Sequence, residues 1–445
     1  MLGEAGTASV SGGARGPLLR GAATVMSLQA GGYSTRYLLQ IFFARWIGPV
    51  GYGDYSYASA LAQVLSTLAG LGLPTAMIRY IPDYRERGQL PLMRGMMTRS
   101  RQLTLAAAGV AGLVAVIVLQ AVSPRRFESG TLMLGIWISP LLALSALESE
   151  TLRALDRVAL YSMPILADPL LTLMLGVALL GFRRLTGQSA MAARAAALAV
   201  IVALQWRACQ RMASSGAAER CLRTNEWLRA ALPLLGVTLS SVLLARADLL
   251  ILGAVRGPAE VGVYAAAAST AALVPLILNA VNARGALMMS ELFARRDRAG
   301  LERLVGSMTR WAFWPSCGLA LILASLRAPV MRLFGSQFSQ GELPLLVLIA
   351  GQLVNAGTGP VGYLMIISGN QDASLIAVGC SALVSVVGCL ILVPLWGALG
   401  AAASSAAALS AWNAWLYLLA ERRAGVKLKP PWVFTSPETV GARAK

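Results

Sequence analysis

One turn is written twice in this chain, and each copy joins two apolar runs long enough to cross a bilayer. Residues 48–58 read Gly-Pro-Val-Gly-Tyr-Gly-Asp-Tyr-Ser-Tyr-Ala, and residues 257–267 read Gly-Pro-Ala-Glu-Val-Gly-Val-Tyr-Ala-Ala-Ala. At a constant offset of 209, Gly48/Gly257, Pro49/Pro258, Gly53/Gly262, Tyr55/Tyr264 and Ala58/Ala267 are identical. Proline fixes φ and glycine permits the conformations around it, so each copy predicts a tight hairpin between two membrane helices. The period is too long for a solenoid and fits two similar halves.

The apolar runs decide the class. A spanning helix needs about 20 mostly apolar residues. Twelve segments qualify: 24–44, 54–77, 102–122, 131–152, 160–182 and 190–208, then 230–252, 260–283, 306–326, 343–367, 374–394 and 398–420. Charged residues make up 13% of the chain and hydrophobic ones 57%, with a mean hydropathy of +0.65. A soluble domain carries about 25% charge. The fold class is therefore an all-α polytopic membrane protein of about twelve transmembrane helices. Each half holds an even number of spans, so the two six-helix repeats enter the membrane in parallel. The units are a tail over 1–20, a lobe over 21–208, a basic connection over 209–229, a second lobe over 230–421 and a basic tail over 422–445. The first twenty residues, with Gly12, Gly13, Gly16 and Pro17, predict a flexible segment without a signal-peptide core.

Charge gives orientation. With the N-terminus inside, 27 of the 38 basic residues fall on the cytoplasmic side and nine outside, Arg45, Arg194 and Arg256 among the nine. Both termini are thus expected in the cytoplasm. The net charge of +18 follows this placement, which suits membrane orientation rather than nucleic acid. No histidine is present, and the five cysteines show no CxxC spacing, so they read as small apolar side chains. No phosphate loop, nucleophile constellation or metal cluster is visible, and every loop is short. Neither an enzyme nor a cofactor is expected; a membrane-embedded polymerase or transferase would want a polar catalytic set on a large external loop.

Family resemblance rests on several stretches in order. Ala44-Arg45-Trp46-Ile47-Gly48-Pro49, Gly53-Asp54-Tyr55 and Leu71-Gly72-Leu73-Pro74-Thr75-Ala76 resemble the opening of bacterial polysaccharide-lipid flippases. These are the Wzx-type oligosaccharide repeat-unit transporters of the multidrug/oligosaccharidyl-lipid/polysaccharide (MOP) exporter superfamily. Arg246-Ala247-Asp248-Leu249-Leu250-Ile251-Leu252-Gly253 resembles their seventh helix, and Pro394-Leu395-Trp396-Gly397-Ala398-Leu399-Gly400-Ala401-Ala402 their last loop and helix. The resemblance implies two lobes around a central cavity and alternating access in the bacterial inner membrane. It also implies a polyprenyl-pyrophosphate-linked oligosaccharide as substrate, with membrane lipid and polysaccharide-assembly proteins as partners. An ion-coupled multidrug exporter of the same superfamily is the alternative.

Charges deep in a bilayer are costly and mark a site by default. Arg36 lies about twelve residues into the first span, roughly 18 Å along a helix rising 1.5 Å per residue. It sits on a polar stripe, Gln29, Tyr33, Arg36 and Gln40, whose 4, 3, 4 spacing keeps one helix face and predicts a wet cavity lining. Arg246 occupies a similar depth in the seventh span, one residue off the repeat register and among apolar neighbours. Snorkelling to the headgroups is the alternative for both. A guanidinium fork suits the localised charge of a pyrophosphate, and it suits poorly the cations that drug exporters bind. Asp168, beside Pro169, and Asp248 are candidates for ion coupling or for pairing with a neighbouring arginine. Glu148 and Glu150 read as interfacial, with Arg153 beside Glu150. Pro140 in the fourth span and Gly357, Gly359 and Pro360 in the tenth are expected to interrupt corresponding helices as hinges, packing by small residues being the alternative. Residues 291–303 predict a surface-lying amphipathic helix.

Overall fold

The computed structural model describes residues 15–122, 127–213, 221–426, 428 and 430–433. Its helices in chain order are α1 Arg15–Gly70, α2 Leu73–Glu86, α3 Leu90–Val122, α4 Ser129–Ala154, α5 Val158–Gly181 and α6 Gly187–Ala213. The second half continues with α7 Thr224–Arg256, α8 Pro258–Ala271, α9 Pro275–Ala294, α10 Arg298–Ser325, α11 Arg327–Phe334, α12 Glu342–Thr358, α13 Val361–Ile367, α14 Gln371–Trp396 and α15 Ala398–Leu419. No strand occurs among the described residues. Among the described residues, six helices are long and apolar enough to cross a membrane, and up to ten if each bent pair is one span. Reading α1 as two spans about Gly48 and adding the alanine-rich α15 gives the twelve segments of the sequence.

Both copies of the repeated turn use the same backbone. Gly48 has φ 71° and ψ 177°, and Gly257 has φ 96° and ψ −177°, a region that glycine alone enters freely. Helix resumes at once, because Pro49 and Pro258 occupy the first helical position, where a missing N–H costs nothing. The two turns then meet. A Cβ on Gly53 would collide with the Pro258 carbonyl oxygen, and a Cβ on Gly262 with the Pro49 carbonyl oxygen. These contacts exchange under the 209 offset, as in a two-fold interface where patch meets equivalent patch. The halves are therefore related by a pseudo-two-fold axis, and they touch on it through glycine hydrogens.

Burial shows how the lobes are joined. One core spans both lobes at the turn end, uniting Phe43, Tyr52 and Ala58 with Val261, Tyr264 and Phe338. At the opposite end the core divides in two. Met77, Met96 and Leu147 belong to one half, and Met289, Leu301 and Leu364 to the other. The start of α7 bridges back, where buried Trp227 donates from Nε1 to the Tyr84 hydroxyl at 2.9 Å. The lobes thus close at one end and part towards the other.

Several expectations need correction. Helix begins at Arg15, inside the segment read as flexible, and residues 1–14 of that tail lie outside the described residues. The connection read as 209–229 narrows to the stretch between Ala213 and Thr224, of which 214–220 lie outside the described residues; so do 427, 429 and 434–445 of the C-terminal tail. Pro140 does not break α4, which runs through it. A proline there deprives the Ile136 carbonyl of its helical donor, and Ser139 Oγ supplies one at 2.7 Å. The amphipathic helix over 291–303 is absent: α9 ends at Ala294, and Asp297 caps α10 by accepting from the Gly300 N–H at 2.8 Å. Glu148 is fully buried rather than interfacial. It holds Arg101 by two hydrogen bonds, at 2.5 and 2.8 Å, while that guanidinium lies 4.6 Å over Trp206. Glu150 does pair with Arg153, at 3.5 Å.

Candidate functional site

Where the lobes part, charge collects. Arg36 projects from α1 with 48% of its side chain exposed, and Gln29, Tyr33 and Gln40 of the same stripe are half-buried or exposed. Arg246 projects from α7. Its surface is exposed, yet protein surrounds it at longer range, including Arg36, Arg194 and Asp248 within electrostatic reach. Arginines from equivalent helices of the two lobes therefore lie within electrostatic reach of one another. Gathering like charge costs energy in a poorly solvated cavity, and an anion between them recovers it.

Asp168 on α5 is buried among the N-terminal lobe's helices. Its Oδ2 lies 3.9 Å from Arg36 Nη2 and 3.8 Å from Arg194 Nη2, while Oδ1 is buried without a hydrogen-bond partner among the described residues. The charge distribution along the sequence puts Arg194 outside the membrane, and the structure corrects this. It sits on α6 with 15% of its side chain exposed, within electrostatic reach of the Tyr55 hydroxyl. Of Asp168's two expected roles, geometry brings it to the arginines.

Asp248 on α7 is held differently. Tyr264 and Ser405 hydroxyls both donate to Oδ2, the latter at 2.6 Å, and the Leu249 N–H donates to Oδ1 at 2.7 Å. No cation contacts it among the described residues; Arg246, two positions away, points elsewhere, as helical spacing requires. Ser241 and Thr238, which share a helix face with Asp248, bond to the preceding turns of α7 instead.

The repeat explains both arrangements. Tyr55 and Tyr264 are equivalent under the 209 offset. Each reaches into the charged group of its own lobe, Tyr55 to Arg194 and Tyr264 to Asp248. Tyrosine is the only polar side chain kept identical in the two turn copies, a signal the sequence carries in plain view.

The hinge candidates divide. α12 ends at Thr358, Gly359 takes φ 70°, and α13 departs at 43° after Pro360, so Gly357, Gly359 and Pro360 lie on a broken span. Pro140 lies on an unbroken one. Of these two corresponding spans, only the one in the C-terminal lobe is broken. Thr358 steadies it by donating to Asn413 Oδ1 on α15 at 3.1 Å.

A family model described as "Polysaccharide biosynthesis protein" matches residues 18–288. No curated protein sequence matches the chain. Among solved structures, the lipid II flippase MurJ in an inward closed conformation superposes with a TM-score of 0.71 at 13% identity, covering 89% of this chain and 87% of that one. A multidrug resistance MATE family transporter of the MOP superfamily, inward-facing, gives 0.68 at 15% identity, covering 88% and 94%. An outward-facing MATE family transporter gives 0.56 at 15% identity, covering 91% and 95%. At these identities the likeness is one of fold.

Proposed function

The chain belongs to the polysaccharide biosynthesis protein family, and from that membership we propose that it flips a polyprenyl-pyrophosphate-linked oligosaccharide across the bacterial inner membrane. The cargo is a repeat unit of O-antigen, capsule or exopolysaccharide, carried from the cytoplasmic to the periplasmic leaflet by alternating access. The observation that carries this reading is the pair of exposed arginines, Arg36 and Arg246, one from each lobe and within electrostatic reach of one another. Two guanidinium groups match a diesterified pyrophosphate, which carries about two charges on oxygens that accept bidentate hydrogen bonds. Gln29, Tyr33 and Gln40 continue the same face and suit hydroxyl-rich cargo. Multidrug transporters share the fold, but a cationic drug between two arginines meets repulsion.

Coupling we assign to Asp248. Its hydrogen bonds all come from neutral donors, so uptake of a proton or a small cation would change the site's charge without breaking a contact to an arginine. Proteoliposomes containing the purified chain should flip a fluorescent polyprenyl-pyrophosphate oligosaccharide under an ion gradient. Asp248→Asn should slow that flipping at least about tenfold, the scale of one lost charge-assisted contact. A parent that moves a cationic dye and not the pyrophosphate lipid would overturn the substrate reading, and unchanged flipping by Asp248→Asn would overturn the coupling assignment.

Orientation belongs to the same proposal. The 27-to-9 distribution places the turn end outside, although Arg194 must be subtracted from the outer count. In a cysteine-free background, cysteines at Val50 or Ala259 should react with an impermeant reagent from the periplasm, and cysteines at Gln89 or Arg298 should not. Labelling in the reverse pattern would invert the topology.

A further inference from the structure

We propose that Arg194 is a positioning residue that holds Asp168 so that Arg36 is released to the anionic cargo. The inference rests on the pyrophosphate reading of this site and deepens it. Asp168 offers one oxygen, Oδ2, to two guanidinium groups at nearly equal range, 3.9 Å for Arg36 and 3.8 Å for Arg194. Both distances exceed a hydrogen bond, so neither contact is locked. The two arginines differ in everything else. Arg36 keeps 48% of its side chain exposed, whereas Arg194 keeps 15% and lies beside Tyr55. Tyr55 is itself buried, with its ring edge-on to Phe43 at 5.0 Å, so its hydroxyl is a fixed post.

An entering anion changes the balance among these groups. Alone with Arg36, Asp168 would compete with the cargo for that guanidinium, and a buried carboxylate left unpaired costs several kcal/mol. With Arg194 in place the carboxylate keeps a cation when Arg36 leaves. Asp168 Oδ1 is buried without a partner, so it is free to receive the second prong of the Arg194 fork and close a bidentate pair. The exchange moves no net charge: Arg194 tightens on Asp168 as Arg36 turns to the pyrophosphate. Arg194 therefore acts through Asp168 and does not touch the cargo.

A double-mutant cycle separates this from a direct contact. The full-length protein in nanodiscs is titrated with a fluorescent polyprenyl pyrophosphate. Arg194→Gln should weaken binding about tenfold, since Asp168 then recaptures Arg36, one charge-assisted contact being worth about that much. In the Asp168→Asn background the same Arg194→Gln change should leave affinity within about twofold, because no carboxylate remains to restrain Arg36. An equal tenfold loss in both backgrounds would show direct contact and overturn the proposal, as would no loss in either. Should Arg194→Gln alone not fold, Asp168→Asn is compared with the double variant, which buries no lone charge, and a tenfold difference between those two overturns the proposal. If the parent does not bind the pyrophosphate probe, or Arg36→Ala binds it unchanged, the substrate reading itself fails. If Arg36→Ala loses binding while the cycle is additive, only the role of Arg194 falls.

Discussion

Replacing Gly262 with valine is expected to abolish transport by preventing the turn ends of the two lobes from closing. The Cβ of any larger residue would occupy the Pro49 carbonyl oxygen, and the obstacle is backbone rather than a side chain that can swing aside. Overpacking of this kind costs about 1–3 kcal/mol where side chains yield, and the upper end applies here. A shift of that size changes a two-state ratio by roughly a hundredfold. Each lobe keeps its own contacts, so the protein should still fold and reach the membrane. By the pseudo-symmetry, Gly53→Val should act alike through Pro258. Spin labels at Val50 and Ala259, which are both exposed, would read the separation of the turns. The variants should populate longer distances than the parent. Parental distances together with parental transport would show that the close approach is not the closing contact.

That closing region adjoins the proposed site. Tyr37 follows Arg36, and its hydroxyl meets Thr270 Oγ1 of the other lobe at 3.2 Å while its ring stands edge-on to Phe334 at 5.9 Å. Phe338, beside Phe334, packs against Tyr52 in the same way. Opening the turn end must break these contacts on the very helix that carries the arginine. Binding and gating are therefore mechanically adjacent, whichever comes first in time.

Much of this is legible in the sequence, and for definite reasons. Hydropathy marks spans because water is absent from the bilayer core, and the Gly-Pro repeat marks the two-fold relation because only glycine reaches the backbone at Gly48 and Gly257. Arg36 and Arg246 stand out because charge at that depth is rare. What stays hidden depends on contacts between distant segments. Arg194 lies seven residues into α6, near enough to a loop to pass for a loop charge, and only the fold brings it to Asp168. Pro140 has the look of a helix breaker, and Ser139 repairs the helix by a local rescue that propensity ignores. Glu148 looks interfacial by position along α4, and its burial follows from Arg101 and Trp206 on other helices. The charge-rich run over 291–303 has the composition of an amphipathic helix, but it consists of two helix ends and an aspartate cap.

The second large effect concerns Arg36 itself. Alanine removes charge, fork and hydrogen bonds together, whereas lysine keeps charge and loses the bidentate geometry. Binding of a polyprenyl pyrophosphate should therefore fall in the order Arg, Lys, Ala. The loss to alanine should be about 2–3 kcal/mol, the range for a charge-assisted contact that is partly buried. Stability should change little, because Asp168 retains Arg194 when Arg36 is gone. The most direct measurement is a titration of the purified, full-length parent and Arg36→Ala proteins with a fluorescent polyprenyl pyrophosphate, with membrane abundance and monodispersity recorded beside it. A well-folded Arg36→Ala protein with affinity reduced about 30- to 150-fold is the expected result. Equal affinity in the two proteins would contradict the assignment of this cavity to a pyrophosphate-linked cargo.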